Sequence, residues 1–312
     1  MLLSCIVPIY NRESSLPVCV ESLLNIKSND VEVLLVDDGS SDGSLSICKR
    51  YEQKDCRIHT VHQENRGVGA ARNKGIDLSK GDFLMFIDSD DTIVTETIEY
   101  FLKIQQYDKD FYCFDYYINN SENYQKRILQ EKPDCGLLHS FLYQNNNAVW
   151  NNIYKASVIK RNNILFDTTM KMGEDLLFNI TFIQKIKNWE YINRPIYIYK
   201  DNTVGSAVNT YKFSLIENYM KMFEELYPYY IKTDFKRYIN WIDYLNGIFI
   251  NIFSTTENRN KKVFDELEQS KLYKEISDAS MTSLKMKFKL FCVKYKLYRR
   301  PLIAKLVKKL FY

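Results

Sequence analysis

The stretch Phe83–Thr92, FLMFIDSDDT, runs from five apolar residues into three carboxylates, Asp88, Asp90 and Asp91. Like charges packed this closely repel unless a positive partner lies among them. An Asp-x-Asp at the end of a strand offers hard oxygen ligands alone, which suits Mg2+ or Mn2+. Mg2+ in particular often binds through one or two carboxylates and completes its sphere with substrate phosphates. The same acids also fit a turn that caps the following helix, and these residues alone leave both readings open. A second cluster, DDGSSDGS at 37–44, is explained by Asx-turns or by carboxylates that accept a base N–H or ribose hydroxyls, the candidates being Asp37 and Asp38. In NRGVGAARNKG, Gly67-x-Gly69 opens a helix with free N–H groups, and Arg72 adds a charge complementary to phosphate. Arg72 stands where a dinucleotide fingerprint needs its third glycine, and the motif follows the third strand, so hydride transfer fits poorly. Glu174 and Asp175 form a further acid pair at a predicted helix start, where the macrodipole alone favours them. With three histidines in the chain (His59, His62, His139) and no Ser-His-Asp set, a carboxylate is the better candidate for a proton acceptor.

These clusters are spaced by elements that can bring them together. Leu3–Val7, Val31–Val36, Arg57–Val61 and Phe83–Ile87 are apolar runs fit for buried strands. Helical spacing predicts helices over Ser14–Leu24, Leu45–Gln53 and the segment before Gly81, with Ser14 or Ser15 as N-cap and Gly81 as the C-terminal breaker. Such alternation predicts an α/β fold with a mostly parallel sheet covered on both faces, whose ligands gather at the carboxyl ends of the strands. Tyr10–Asn11, Asp37–Ser40, Glu64–Gly67 and Asp88–Asp91 each follow a strand and should share one rim. Beyond them, 108–118 reads as a strand, 148–159 as strand or turn into helix, 173–186 as an amphipathic helix, and 195–206 as strand and turn. From about 210 the pattern is helical.

Bulk composition narrows the class. A chain of 312 residues with 46% hydrophobic and 26% charged residues can bury a sizeable core. The net charge of +4 hides an asymmetry: residues 281–312 hold ten Lys or Arg and no acid, leaving 1–280 at −6. Leu284, Phe288, Phe291, Tyr295, Tyr298 and Leu302 make this tail a basic amphipathic helix, which either docks on an anionic membrane surface or packs its stripe on the protein. Seven scattered cysteines without CxxC fit reduced thiols. No signal peptide and no ~18-residue apolar span is expected, which points to the cytoplasm.

In order and spacing, CIVPIYNRESSLPVCVESLL, VEVLLVDDGSSDGS, NRGVGAARNKGID and GDFLMFIDSDD resemble the family 2 glycosyltransferases of GT-A fold, bacterial polysaccharide type. The resemblance is close over about 3–92 and looser to about 206 through VWNNIYK, GEDLLF and YIYKDNTVGS. It implies a Rossmann-like catalytic domain over 1–206 and a helical C-terminal region over 207–312. It also implies an inverting transferase that uses a nucleotide sugar, with a UDP-sugar expected, Mn2+ or Mg2+, and a saccharide or lipid-linked acceptor, but no nucleic acid. By similarity Pro8 and Tyr10 line the base beside Asn11, Asp38 faces the uracil edge with Asp37 near it, and Gly67 and Arg72 lie near the nucleotide. Asp88 approaches the ribose or metal, Asp90 binds the metal, and Asp91 is an alternative ligand. Asp175 is the catalytic base with Glu174 beside it. Trp150 and Asn151 match a motif near the sugar and acceptor, although aromatic core packing explains Trp150 equally well. Asn152 and Lys200 depart from the family's usual lysine and arginine. Two rival readings are a sugar nucleotidyltransferase, which lacks its Gly-rich lysine loop here, and a non-catalytic nucleotide-sugar-binding subunit, against which the intact acid pairs argue. The resemblance leaves an oligomer open and does not identify the sugar.

Overall fold

The computed structural model describes residues 1–104, 107–119, 124–127, 148–170 and 173–200, with 269 and 274. The basic tail and the turn after residue 200 lie outside these residues. The chain divides into two compact units, Met1–Met170 with Glu174–Ser206, and Lys171–Gly173 with Ala207–Tyr312.

Three crossovers build the N-terminal half of the first unit. The elements are β1 (Leu3–Ile9), α1 (Leu16–Leu24), β2 (Val31–Asp38), α2 (Ser44–Lys54), β3 (Ile58–Gln63), α3 (Val68–Leu78) and β4 (Phe83–Phe86). β2 and β4 both pair with β1 in parallel, and β3 pairs with β2 in parallel. Every residue of β1 and β2 is buried, as strands covered on two faces require. β5 (Thr92–Ile93), α4 (Thr95–Leu102), β6 (Phe111–Asn119), β7 (Tyr124–Arg127), β8 (Asn152–Lys155), α5 (Ala156–Arg161), α6 (Glu174–Ile183) and β9 (Trp189–Lys200) follow. The sheet order is β3-β2-β1-β4-β8-β6-β9-β5, with β7 on β6. β8 runs antiparallel to β4 and β6, whereas β9 returns parallel to β6.

One face of the sheet packs Val7, Leu35, Leu16 and Val20 together; the other packs Ile6, Leu34, Val36, Ala71 and Phe86. Each such side chain contributes about 1.5–3 kcal/mol through burial. α3 lies so close to β1 that a Cβ at Gly75 would collide with Ile6.

Several local expectations shift. Ser15 is the N-cap of α1 but makes no side-chain cap bond; its hydroxyl donates to the Ser89 carbonyl at 3.2 Å, tying the helix to the acidic turn. Gly81 does not end a helix in the left-handed region: α3 stops at Leu78 with Ser79 as C-cap. The glycine is needed there because a Cβ would strike Ser4.

Candidate active site

The loops at the carboxyl ends of β1 to β4 form one acidic rim. Asn11 takes φ 51° and accepts the Ser41 N–H at 2.8 Å, while its own N–H donates to Ser40 Oγ at 3.0 Å. Its side chain therefore laces two loops together. Pro8 is buried inside β1, and Tyr10, just past its end, is 46% exposed. Asp37 and Asp38 lie inside the last turn of β2 rather than in the loop, both fully or nearly fully buried. Asp38 accepts Gln63 Nε2 at 2.7 Å, the Arg66 N–H at 2.9 Å and the Gly67 N–H at 2.7 Å. The loop before α3 is thus hung on this carboxylate, and Gly67 meets it with φ 90°, a conformation that favours glycine. Asp37 Oδ2 lies 2.7 Å from His62 Nδ1, and its buried Oδ1 has no partner among the described residues.

Arg72 holds the centre of the site. Its guanidinium rests over the Phe166 ring at 5.1 Å, within a cluster where Phe166 stacks on Phe178 at 4.1 Å. Nη2 donates to Asp88 Oδ1 at 3.0 Å, and Nη1 donates to Asp175 Oδ1 at 2.5 Å and Glu174 Oε1 at 3.4 Å. Burial opposes the charge on Arg72, but Asp175, Asp88 and Glu174 more than offset this and keep it firmly protonated. Removal from water pushes the Asp175 carboxyl well above the usual carboxylate range; Arg72 pulls it down, while Glu174 and Asp88 push it up. Asp88 and Asp175 keep 31% and 22% of their side chains exposed, so both open toward solvent from opposite ends of one cation.

The remaining acids of the turn diverge. Asp90 pairs with Arg12 Nη2 at 3.6 Å. Asp91 turns inward, where Tyr197 Oη donates to Oδ2 at 2.9 Å and the Lys200 N–H donates to Oδ1 at 2.7 Å. Burial, with Asp88 and Asp90 nearby, pushes the Asp91 carboxyl up to about 8. The Tyr197 hydroxyl also accepts the Asp88 N–H at 3.0 Å and so fixes both ends of the turn. Trp150 stacks on Tyr197 at 4.4 Å and is 8% exposed, while Asn151 Nδ2 donates to the Phe114 carbonyl at 3.1 Å. Both side chains belong to the packing behind the turn. Arg12 and Tyr197 were not among the expected site residues, and His62 was named only as one of three histidines. The position of His62 at the end of β3 was the available signal, whereas nothing local marks Tyr197.

Two acids of the turn have the chemistry to hold a divalent cation with help from a ligand. No group of three or more Asp, Glu, His or Cys among the described residues is disposed to hold a metal by itself. Asp88 Oδ2 accepts no hydrogen bond from the described residues, and Asp90 lies two residues away on the same turn. Two hard carboxylates completed by phosphate oxygens fit this chemistry; Asp91, with both oxygens already engaged, does not.

The family model described as Glycosyl transferase family 2 matches residues 4–173, more than half of the chain. The chain belongs to this family. It is a glycosyltransferase, and the match spans every residue of the rim except Glu174, Asp175, Tyr197 and Lys200. The transferase is 29% identical over 240 residues to the uncharacterized glycosyltransferase EpsJ of Bacillus subtilis, covering 73% of this chain and 70% of EpsJ. S. aureus TarS 1-349, solved with UDP-GlcNAc, superposes with a TM-score of 0.62 at 20% identity over 94% of this chain and 79% of that one. The mannosyltransferase PcManGT of Pyrobaculum calidifontis, solved with GDP-Man and Mn2+, gives a TM-score of 0.51 at 14% identity over 96% and 87%. These likenesses bear out the GT-A fold expected for the family 2 transferase.

Proposed function

We propose that residues 1–206 transfer a sugar, with inversion, from a nucleotide donor to a hydroxyl of a saccharide or lipid-linked saccharide during cell-surface polysaccharide synthesis. The observation that carries this is the Arg72 bridge, which sets the strand-end carboxylate Asp88 beside the helix-start carboxylate Asp175. A donor diphosphate belongs at the first and an acceptor hydroxyl at the second. The UDP-GlcNAc bound by TarS supports a UDP-sugar, and the GDP-Man of PcManGT supports nucleotide sugars as the wider class.

Tyr10, exposed beside buried Pro8, offers a ring on which the base can stack. Asp37 and Asp38 fix the loops around it, and Asp88 reaches the ribose or the diphosphate. Asp88 and Asp90 would hold Mn2+ or Mg2+, which when bound neutralises charge on the departing diphosphate. Asp175 takes the acceptor proton, and removal from water, which raises its pKa, makes it a stronger proton acceptor than an ordinary carboxylate. The acceptor oxygen then attacks the anomeric carbon opposite the leaving group, and configuration inverts. Arg72 keeps Asp175 aimed, and Glu174 steadies the pair. Among the described residues no helix is long and apolar enough to cross a membrane. The tail at 281–312 would instead hold the enzyme on the inner face of the plasma membrane. The deciding experiment screens UDP-sugars for cation-dependent hydrolysis and transfer. Activity with one donor is expected; no turnover with any nucleotide sugar removes the proposal.

A further inference from the structure

The far end of the sheet carries a second concentration of charge. Lys155 is the register partner of Phe83, five residues before Asp88, so this region lies roughly 17 Å along the strand from the acidic rim. A cleft of about 470 Å3 opens there between the start of β6, the end of α5 and the segment joining α6 to β9. Its two acids are already compensated. Asp110 accepts Lys155 Nζ at 3.1 Å and the Lys187 N–H at 3.0 Å, and Asp108 accepts Lys109 Nζ at 2.7 Å. The cations Arg161, Lys185 and Lys187 have no acid partner among the described residues. Arg161 spends only Nε, on the Ser157 carbonyl at 3.0 Å, and the two ammonium groups meet no acid among the described residues.

Helix C-termini attract cations, and this accounts for Arg161 on α5 and Lys185 after α6 one at a time. It does not account for Lys187, which lies beyond the last turn, or for three cationic residues lining one recess without an acid partner among the described residues. The volume suits a small ligand rather than a macromolecular surface. Val158 adds an apolar wall.

We propose that this cleft is a phosphoanion site, separate from the carboxylate rim, in which Arg161, Lys185 and Lys187 converge on a phosphate or diphosphate group. A guanidinium offers a fork to two phosphate oxygens, and the ammonium groups add mobile charge. The same chemistry is carried by a free phosphoanion or by a phospholipid headgroup.

The full chain is titrated with inorganic pyrophosphate by calorimetry in EDTA, where the acidic rim repels a diphosphate. It is compared with the triple variant Arg161→Ala/Lys185→Ala/Lys187→Ala. The charge-matched control is Lys49→Ala/Arg50→Ala/Lys54→Ala on the exposed face of α2. Binding at one site that weakens at least tenfold in the first variant, but not in the control, supports a free phosphoanion. Flotation with phosphatidylcholine vesicles, with and without phosphatidylglycerol, forms the second arm. Capture by the anionic vesicles that falls only in the first variant, without pyrophosphate binding, supports the headgroup. If neither readout distinguishes the two variants, the proposal is overturned. Circular dichroism melting ensures that the comparison is between folded proteins.

Discussion

Arg72 and Asp175, 103 positions apart in sequence, meet in a 2.5 Å charge-assisted hydrogen bond. The bond aims one carboxylate oxygen at the guanidinium, and the side chain as a whole stays 22% exposed. If Asp175 is the base, Asp175→Asn keeps the shape and loses the proton acceptor. Turnover is expected to fall by roughly 10²–10⁴-fold, with affinity for UDP held within a few-fold. Transfer assays beside calorimetry check this, and undiminished turnover would take the base role away from Asp175. Arg72→Met strands three acids around a buried hole and should cost on the order of 3–5 kcal/mol in urea denaturation.

Cation removal separates the three acids of the turn. Chelation with EDTA should abolish transfer, and Mn2+ should restore it. Asp90→Asn should raise the Mn2+ concentration needed for half-activation by tenfold or more. Asp91→Asn should leave that requirement within about threefold, because Tyr197 and Lys200 already occupy the Asp91 oxygens. A metal requirement that moves with Asp91 instead would reverse their roles.

Asp91 also predicts a pH signature. Its folded-state pKa, pushed up to about 8 by burial, lies above the ordinary carboxylate value. The folded chain therefore holds a proton that the unfolded chain releases. Its contribution is complete below about pH 4 and is lost as pH rises toward 8, with a slope of at most about 1.4 kcal/mol per unit. Asp91→Asn removes this slope. Melting both proteins in EDTA between pH 5 and 8 should show the variant gaining on the wild type as pH rises; parallel curves would show that Asp91 is ionised throughout.

Trp150 and Gly75 should behave as packing residues. Trp150→Ala removes the ring behind Tyr197 and should cost about 3–5 kcal/mol. Gly75→Ala forces α3 away from Ile6 and should cost about 1–3 kcal/mol. Chemical denaturation measures both. A Trp150→Ala enzyme of normal stability with a raised acceptor KM would instead place that ring in the acceptor pocket.

The first four strands were legible because each is an apolar run that ends in turn-forming residues, a signal carried wholly by local sequence. Their ends were less so. Asp37 and Asp38 read as loop, yet the donors of His62, Gln63, Arg66 and Gly67 make their burial affordable inside β2. Those donors come from later in the chain, where no local pattern announces them. The same holds for Asp91: its neighbours in sequence are acids, and its partners in space lie on β9. The antiparallel entry of β8 between β4 and β6 was likewise hidden, because four residues carry too little periodicity to declare a direction.

The anchoring of the DxD turn by β9 has a bearing on biosynthesis. The Asp88 N–H and Asp91 wait for partners 109 positions downstream. A nascent chain that has emerged only as far as β8 can assemble β1 to β4, yet its acids face one another without Tyr197 or Lys200. The acidic turn therefore gains its full set of hydrogen bonds only after the ribosome has delivered the ninth strand.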